Sequence, residues 1–194
     1  MTNREKVQSN QILKIISYLR TSKLFWILSF TFLTAIAAQF TIPVKPVPFT
    51  LQTMIVLLAG ALLGARNGAV SQLVYLTLGV IGLPVFAHTP EAGMGFARLF
   101  GPTGGYLIAF PLAAYLIGWL VQKNKSYIGV ILSMTAGSIL IILSGAVFLN
   151  LFYLHNWSAA IEAGAAVFSV WMIAKIFIAA SIYFGISKRY ENLP

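Results

Sequence analysis

The last apolar run of the chain, residues 163–186, reads AGAAVFSVWMIAKIFIAASIYFGI and contains one charged residue, Lys175. A charged side chain near the middle of a membrane helix costs roughly 2.5–3.5 kcal/mol on insertion scales, so it usually faces a cavity and serves a function. The chain has no Asp, and no Glu lies one helical turn from Lys175. The run therefore predicts a membrane helix whose lysine is bound by a ligand, a water molecule or a backbone carbonyl.

The composition of the whole chain also indicates an integral membrane protein. Of its 194 residues, 59% are hydrophobic and 9% are charged, whereas a soluble domain carries about 25% charged residues. The length accommodates about five to seven spans in one domain. The chain contains no Cys, which excludes disulfides and thiolate metal sites.

Breaks in the hydrophobic pattern predict an all-α fold with six membrane-spanning helices in a single domain. Pro43, Pro46 and Pro48 end the first span, and the polar turn 66–68 separates the second span from the third. The predicted spans are residues 24–41, 51–65, 69–83, 104–121 and 127–151, followed by a sixth span that ends near Ser187. The connections 84–103 and 153–162 are predicted loops.

This division gives three regions. Residues 1–23 form a cytoplasmic or interfacial N-terminal segment, residues 24–187 form the six-helix membrane domain, and residues 188–194 form a cytoplasmic tail.

Lys and Arg are distributed unevenly between the two sets of connections. The N-terminal segment, the turns 66–68 and 122–126 and the C-terminal tail carry ten of them, whereas the opposite set carries only Lys45 and Arg98. Positive residues concentrate on the cytoplasmic side, so both termini are predicted to be cytoplasmic. The net charge of +9 then reflects topology and attraction to anionic lipid, not nucleic-acid binding.

The chain lacks the residues that catalysis would need. It contains no GxxxxGK[ST] phosphate loop, no Cys and no Asp, and its two His residues lie in different predicted loops. These absences predict no ATP hydrolysis, no nucleophile–base pair, no metal site and no cofactor. A lipid enzyme or a stand-alone channel or carrier stays a less favoured alternative, because neither a catalytic set nor internal symmetry is visible.

Four short motifs occur in order along the chain. They read VKPVPFTLQ at 44–52, LLAGALLG at 57–64, GVIGLPVF at 79–86 and GPTGGYL at 101–107. In these motifs the chain resembles the biotin-specific substrate-binding (S) components of energy-coupling factor (ECF) transporters, the BioY family. The resemblance implies a small multi-pass protein of the prokaryotic cytoplasmic membrane that captures biotin from outside. It also implies two kinds of partner, a transmembrane coupling protein and two ATP-binding cassette ATPases.

The last helix carries the family pattern only in part. The family has Pro-Gly-Asp-x-x-Lys, and the aligned residues here keep Lys175 but place Met172 at the Asp position. The resemblance implies that Lys175 contacts biotin and that the missing Asp would have bound the ureido N–H groups. An S component for a different small vitamin therefore stays an open alternative, as does a biotin transporter that works alone.

Other candidate ligand residues follow from their position and chemistry. Gln52 offers an amide that suits a urea-like ring, and the alternatives for it are a helix-start cap and an interhelical hydrogen bond. Gly104 and Gly105 begin a span, where free N–H groups favour a carboxylate, although close packing explains them as well. The remaining candidates flank these positions or the last helix: Phe49, Thr50, Arg98, Tyr106, Trp171 and Met172.

The first span offers a candidate surface for the coupling protein. Thr31 with Ala35 and Thr34 with Ala38 form a small-x-x-x-small pattern, which permits close helix packing. The family carries an Ala-x-x-x-Ala face in this helix, so the resemblance implies a partner interface here.

Overall fold

The structure is a computed structural model that describes residues 22–88, 93, 95–168 and 170–187. Its helices are α1 Lys23–Gln39, α2 Gln52–Val80, α3 Gly104–Lys123, α4 Tyr127–Leu149, α5 Trp157–Phe168 and α6 Val170–Ser187. The shorter elements are the strands β1 Thr41–Ile42 and β2 Phe49–Thr50, a 3-10 helix Gly95–Phe100 and a π-helical turn Asn150–Leu154. The tail 188–194 and the N-terminal segment up to residue 21 lie outside the described residues.

Hydroxyl caps set the starts of two helices. The Ser22 side chain accepts a hydrogen bond from the Phe25 backbone N–H at 3.3 Å, and Ser126 accepts one from Gly129 at 3.1 Å. Such caps satisfy donors that have no partner within a helix. Helices α1, α3 and α4 lie within two residues of the predicted spans at both ends.

Helix α2 reverses direction at Gly64, so it consists of two antiparallel arms. Gly64 has φ 77° and ψ 176°, a conformation that glycine adopts without steric cost. Gln52 contacts Tyr75 across the arms, and a Cβ on Gly68 would lie 2.8 Å from the Ala59 carbonyl oxygen. The arms correspond to the predicted second and third spans, but the turn at 66–68 is wrong, since those residues continue the second arm.

The predicted loop 153–162 is also wrong. Asn156 caps a helix there, because its side-chain oxygen accepts from the Ala159 backbone N–H at 3.1 Å. The cap starts α5, and the apolar run that suggested a single last span is divided between α5 and α6. The sequence pattern missed this helix because its short apolar stretch merges with the run that follows.

The described helices have the length and composition of a multi-pass membrane protein. Within the described ranges, three helical segments are long and apolar enough to cross a membrane, Gln52–Val80, Gly104–Lys123 and Tyr127–Leu154. Shorter apolar helices cover Lys23–Gln39 and Trp171–Ser187.

The basic connections meet at one end of the bundle. Lys23, Arg66, Lys125 and Ser187 line one cavity there, and we call this the basic end. The opposite end, which we call the loop end, carries the β1–β2 hairpin and the 3-10 helix. The strands of the hairpin pair antiparallel, Thr41 with Thr50 and Ile42 with Phe49.

The small-residue face of α1 packs inside the chain. Thr31 Oγ1 donates to the Ser71 carbonyl at 2.8 Å, and Thr34 lies 3.2 Å from Gln72 Nε2, which donates to its hydroxyl. Ala38 is 0% exposed, and Ala35 is partly buried against the core. The predicted partner surface is therefore corrected: this face contacts the second arm of α2, which leaves the opposite, apolar face of α1 exposed.

Candidate ligand-binding site

A small cavity of about 40 Å³ lies near the loop end, between the hairpin, α2, α3 and α6. The hairpin contributes Val47 and Pro48, both of which are buried although they lie in a loop. The polar side chains on the cavity wall are Thr50, Gln52, Thr53, Arg98, Thr103, Tyr106 and Lys175. Its apolar wall consists of Val47, Pro48, Phe86, Ala87, Leu107 and Phe110.

Lys175 reaches the cavity from α6 and bonds to the start of α2. Its Nζ donates to the Thr50 carbonyl at 2.7 Å and to the Thr53 hydroxyl at 3.1 Å. An ammonium group has three donors, so these two contacts orient the side chain and leave one donor for a ligand. A carbonyl partner was one of the three that the sequence predicted.

Gln52 joins the two arms of α2 through a buried network. Its Nε2 donates to the Tyr75 hydroxyl at 2.5 Å, and its Oε1 accepts from Thr50 Oγ1 at 3.0 Å. Tyr75 in turn donates to the Val85 carbonyl at 3.2 Å. Gln52 lines the cavity and holds its wall together, which matches the interhelical alternative weighed for it.

Arg98 is the second cation of the cavity. Its side chain is 4% exposed, and Nη2 donates to the Ala87 carbonyl. Burial lowers the pKa of its guanidinium from the ordinary value, whereas the Tyr75 phenol acts in the opposite direction. Guanidinium groups stay protonated in proteins, so Arg98 brings a positive charge. Glu91, an acid in the same connection 84–103, lies outside the described residues.

Thr103 offers the cavity a hydroxyl that no described residue bonds to. Its Oγ1 is buried and has no hydrogen-bonding partner within the described parts of the chain. Buried polar atoms are nearly always satisfied. A ligand atom in the cavity would supply the missing bond.

The charge of the cavity wall is positive. Lys175 and Arg98 both line it, and none of its described lining residues is a carboxylate. Buried cations are usually paired, because desolvation is costly. The arrangement therefore suits a small molecule with hydrogen-bond acceptors, an anionic group and an apolar body that fits against Phe86, Leu107 and Phe110.

Five of the ten predicted site residues share this cavity. They are Thr50, Gln52, Arg98, Tyr106 and Lys175. The structure brings them together from five separate elements or loops, although they are up to 125 positions apart in the chain.

Gly104 and Gly105 do not line the cavity. A side chain on Gly104 would collide with the Leu99 carbonyl, and one on Gly105 would collide with Phe148. Ser144 also donates to the Gly105 carbonyl at 2.8 Å. Both glycines let α3 approach its neighbours closely, which is the packing alternative considered for them.

The other three predicted residues lie beside the cavity. Phe49 and Trp171 line a lateral groove of about 440 Å³ that shares Thr50 and Lys175 with the cavity. Met172 lies with Lys175 and Thr53 around a space of about 10 Å³ behind it. Lys175 therefore belongs to all three spaces, and Met172 packs against the core.

Sequence reasoning missed Thr53, Tyr75 and Thr103. Thr103 lies within the GPTGGYL motif, whose glycines give a stronger sequence signal than a single threonine. Tyr75 is a polar aromatic residue in an apolar span, and its pairing with Gln52 follows only if the chain reverses at Gly64. No local pattern marks Thr53.

A family model and several named relatives place the chain in the same family. The model of the BioY family matches residues 6–192. A relative from Thermotoga maritima, named Biotin transporter BioY, is 40% identical over 159 residues, which cover 82% of this chain and 92% of the relative. A probable biotin transporter BioY from Lysinibacillus sphaericus is 49% identical over 106 residues, which cover 55% of this chain and 52% of the relative.

A solved structure has the same fold. The crystal structure of the S-component for biotin from an ECF-type ABC transporter superposes with a TM-score of 0.78 at 28% sequence identity. The match covers 97% of this chain and 95% of that chain.

Proposed function

Because the chain belongs to the BioY family, we propose that it is the membrane-embedded biotin-binding subunit of an ECF-type importer. It is a transport protein and not an enzyme. One observation supports the ligand most directly: Lys175, a cation within an apolar helix, reaches a cavity at the loop end that also holds Arg98 and the Thr103 hydroxyl.

The chemistry of biotin fits this cavity wall. Biotin has a urea-like ring, an apolar bicycle and chain, and a carboxylate. We assign Lys175 as the donor to the ureido oxygen and Arg98, with Thr103, as the groups that face the carboxylate. Phe86, Leu107 and Phe110 would contact the apolar body. No cofactor is required, because binding and release involve no covalent step.

The size of the cavity implies that its wall moves when biotin enters. The cavity holds about 40 Å³, whereas ligand pockets usually measure about 300–1,000 Å³. The hairpin residues Val47 and Pro48 cover it, and the strands on either side of their loop share two residue pairs. We expect biotin to displace this hairpin from the loop end.

Transport requires partners that the chain does not contain, because it lacks an ATP-binding motif. We propose that it works with a transmembrane coupling protein and two ATP-binding cassette ATPases in a prokaryotic cytoplasmic membrane. The expected topology has six spans, with both termini at the cytoplasmic side. The basic end, which collects Lys23, Arg66 and Lys125, then faces the cytoplasm, and the ligand cavity faces outside.

Calorimetry on the detergent-purified chain tests the ligand. We expect biotin to bind with one site per chain and other vitamins, such as thiamine, to give no heat. Binding of another vitamin without biotin binding would overturn the assignment in favour of the alternative S component. That alternative has its own support, because Met172 lies beside Lys175 where the family carries an Asp.

A further inference from the structure

A second cavity opens at the basic end, far from the ligand cavity along the bundle. Its volume is about 530 Å³, and we call it the basic cavity. The start of α1, the turn of α2, the α3–α4 connection and the end of α6 form its wall. Its wall includes Lys23, Leu63, Arg66, Val121, Lys125 and Phe184.

Three cations from three separate segments line the basic cavity. Lys23, Arg66 and Lys125 all contribute to its wall. None of its described lining residues is a carboxylate, and Glu162, which lies on α5, is not among them. Like charges around one cavity add up to a positive electrostatic potential, and low-dielectric walls strengthen that potential. The arrangement favours an anion that contacts all three.

Packing of the α2 turn fixes the position of Arg66. A side chain on Gly118 of α3 would collide with the backbone of Gly64 and Ala65. A Cβ on Gly64 would lie 2.7 Å from Gln122 Nε2. The backbone of Arg66 is therefore held tightly against α3, and the exposed Arg66 side chain extends from that point.

Apolar side chains line the basic cavity together with the polar residues Asn67, Gln122 and Ser187. Leu62, Leu63, Val121 and Phe184 line the same cavity as the three charges. A free phosphate ion would need the cations alone. A phospholipid presents a charged headgroup and acyl chains together, which matches both parts of the wall. The volume is also within the usual range of about 300–1,000 Å³ for ligand sites.

We propose that the basic cavity binds the headgroup of an anionic phospholipid. The phosphate contacts Lys23, Arg66 and Lys125, and the acyl chains follow the partly exposed side chains of Leu62 and Phe184. Basic pockets between transmembrane helices on the cytoplasmic side bind anionic headgroups in this way. A lipid held here would link the α2 turn to the ends of α1 and α6.

Native mass spectrometry of the full chain in detergent tests the proposal. The probes are phosphatidylglycerol, phosphatidylcholine and inorganic phosphate. We expect phosphatidylglycerol to bind and phosphatidylcholine to bind much more weakly. Each cation that contacts the headgroup contributes about fivefold to the affinity for an anionic lipid. The triple variant Lys23→Gln, Arg66→Gln and Lys125→Gln should therefore bind phosphatidylglycerol on the order of 100-fold more weakly.

Lys123 provides the matched control. It lies at the same end, but its Nζ is 3.3 Å from the centre of the Trp119 ring and it does not line the cavity. Lys123→Gln should leave phosphatidylglycerol binding within about twofold of the parent, because the Lys123 ammonium group lies over the Trp119 ring and not at the wall of the basic cavity. An equal loss in Lys123→Gln and in Arg66→Gln would show attraction to the whole surface and overturn the site.

Two further results would overturn the proposal. Equal binding of phosphatidylglycerol and phosphatidylcholine would show that the cavity does not select charge. Displacement of phosphatidylglycerol by millimolar inorganic phosphate would identify a free-anion site. Thermal unfolding of each variant checks that it is folded. Because the probes are lipids and phosphate, the result does not depend on whether the chain binds biotin.

Discussion

At the scale of residues, Lys175 of α6 lines the ligand cavity and bonds to the start of α2. It donates to the Thr50 carbonyl and the Thr53 hydroxyl, which lie on either side of the start of α2. Through these bonds α6 holds the end of the hairpin that covers the cavity. The same ammonium group therefore lines the cavity and bonds to the hairpin.

Replacing Lys175 by Ala should weaken biotin binding about tenfold or more. A charged donor contributes roughly 1.5–3 kcal/mol, and 1.4 kcal/mol corresponds to a factor of ten. Calorimetry measures the affinity, and thermal unfolding should change little because the variant also removes a costly charge from an apolar helix. Lys45→Ala, at an exposed position of the hairpin loop, is the control. Unchanged affinity in Lys175→Ala would remove this residue from the site.

A substitution at Thr103 tests ligand binding separately from the thermal stability of the fold. Thr103→Val keeps the shape of the side chain and removes the buried hydroxyl that has no partner among the described residues. The melting temperature should stay the same or rise, because no protein hydrogen bond is lost. Biotin affinity should fall about three- to tenfold if the hydroxyl contacts the ligand. A fall in melting temperature with unchanged affinity would show a structural role instead.

At the scale of elements, the two arms of helix α2 hold the Gln52 network of the site together. Its first arm carries Gln52 and Thr53, and its second arm carries Tyr75. The reversal at Gly64 brings these residues to the same level of the bundle. Contact between the α2 turn and Gly118 of α3 fixes both arms against the helix that carries Tyr106.

Gly118→Ala should therefore destabilise the chain. The added methyl group would meet the backbone at Gly64 and Ala65, which cannot move like a flexible side chain, and overpacking typically costs about 1–3 kcal/mol. Thermal unfolding in detergent measures the effect. Gly185→Ala in α6 is the matched control, because a Cβ there meets nothing within 4 Å and Ala favours a helix by about 1 kcal/mol. Equal melting temperatures for the two variants would contradict the close packing at Gly118.

At the scale of the whole molecule, the bundle separates its charges between two ends. Three cations from three connections line the basic cavity, and the ligand cavity lies towards the other end. This separation supports a topology with the basic end in the cytoplasm. The family match over residues 6–192 and the TM-score of 0.78 to an S-component for biotin confirm the resemblance that the four motifs indicated.

Cysteine labelling in intact cells tests this topology, because the chain has no Cys of its own. A membrane-impermeant maleimide should label Trp157→Cys, at an exposed position near the loop end, and should label Asn124→Cys, in the α3–α4 connection, only after the cells are opened. The reverse pattern would place the ligand cavity on the cytoplasmic side and contradict import by this route.

The sequence by itself determined the membrane class and the family, and it identified Lys175 as a candidate ligand residue. Hydrophobic runs and single buried charges are local properties, and the four motifs are contiguous, so no fold is needed to read them. Helices α1, α3 and α4 follow from the same local pattern. The reversal of α2 was placed two residues late, because Arg66-Asn67 looks like a polar turn while Gly64 looks like part of an apolar run.

Only the tertiary structure decided which candidate residues meet. Gln52 and Tyr75 bond because the chain reverses at Gly64, and Lys175 reaches Thr50 across the bundle. Gly104, Gly105, Thr31 and Thr34 belong to internal packing, since the partners that cover them come from distant segments. Whether a small or polar residue faces a ligand, a partner or a neighbouring helix depends on what lies opposite it, and that is a property of the folded bundle and not of the local sequence.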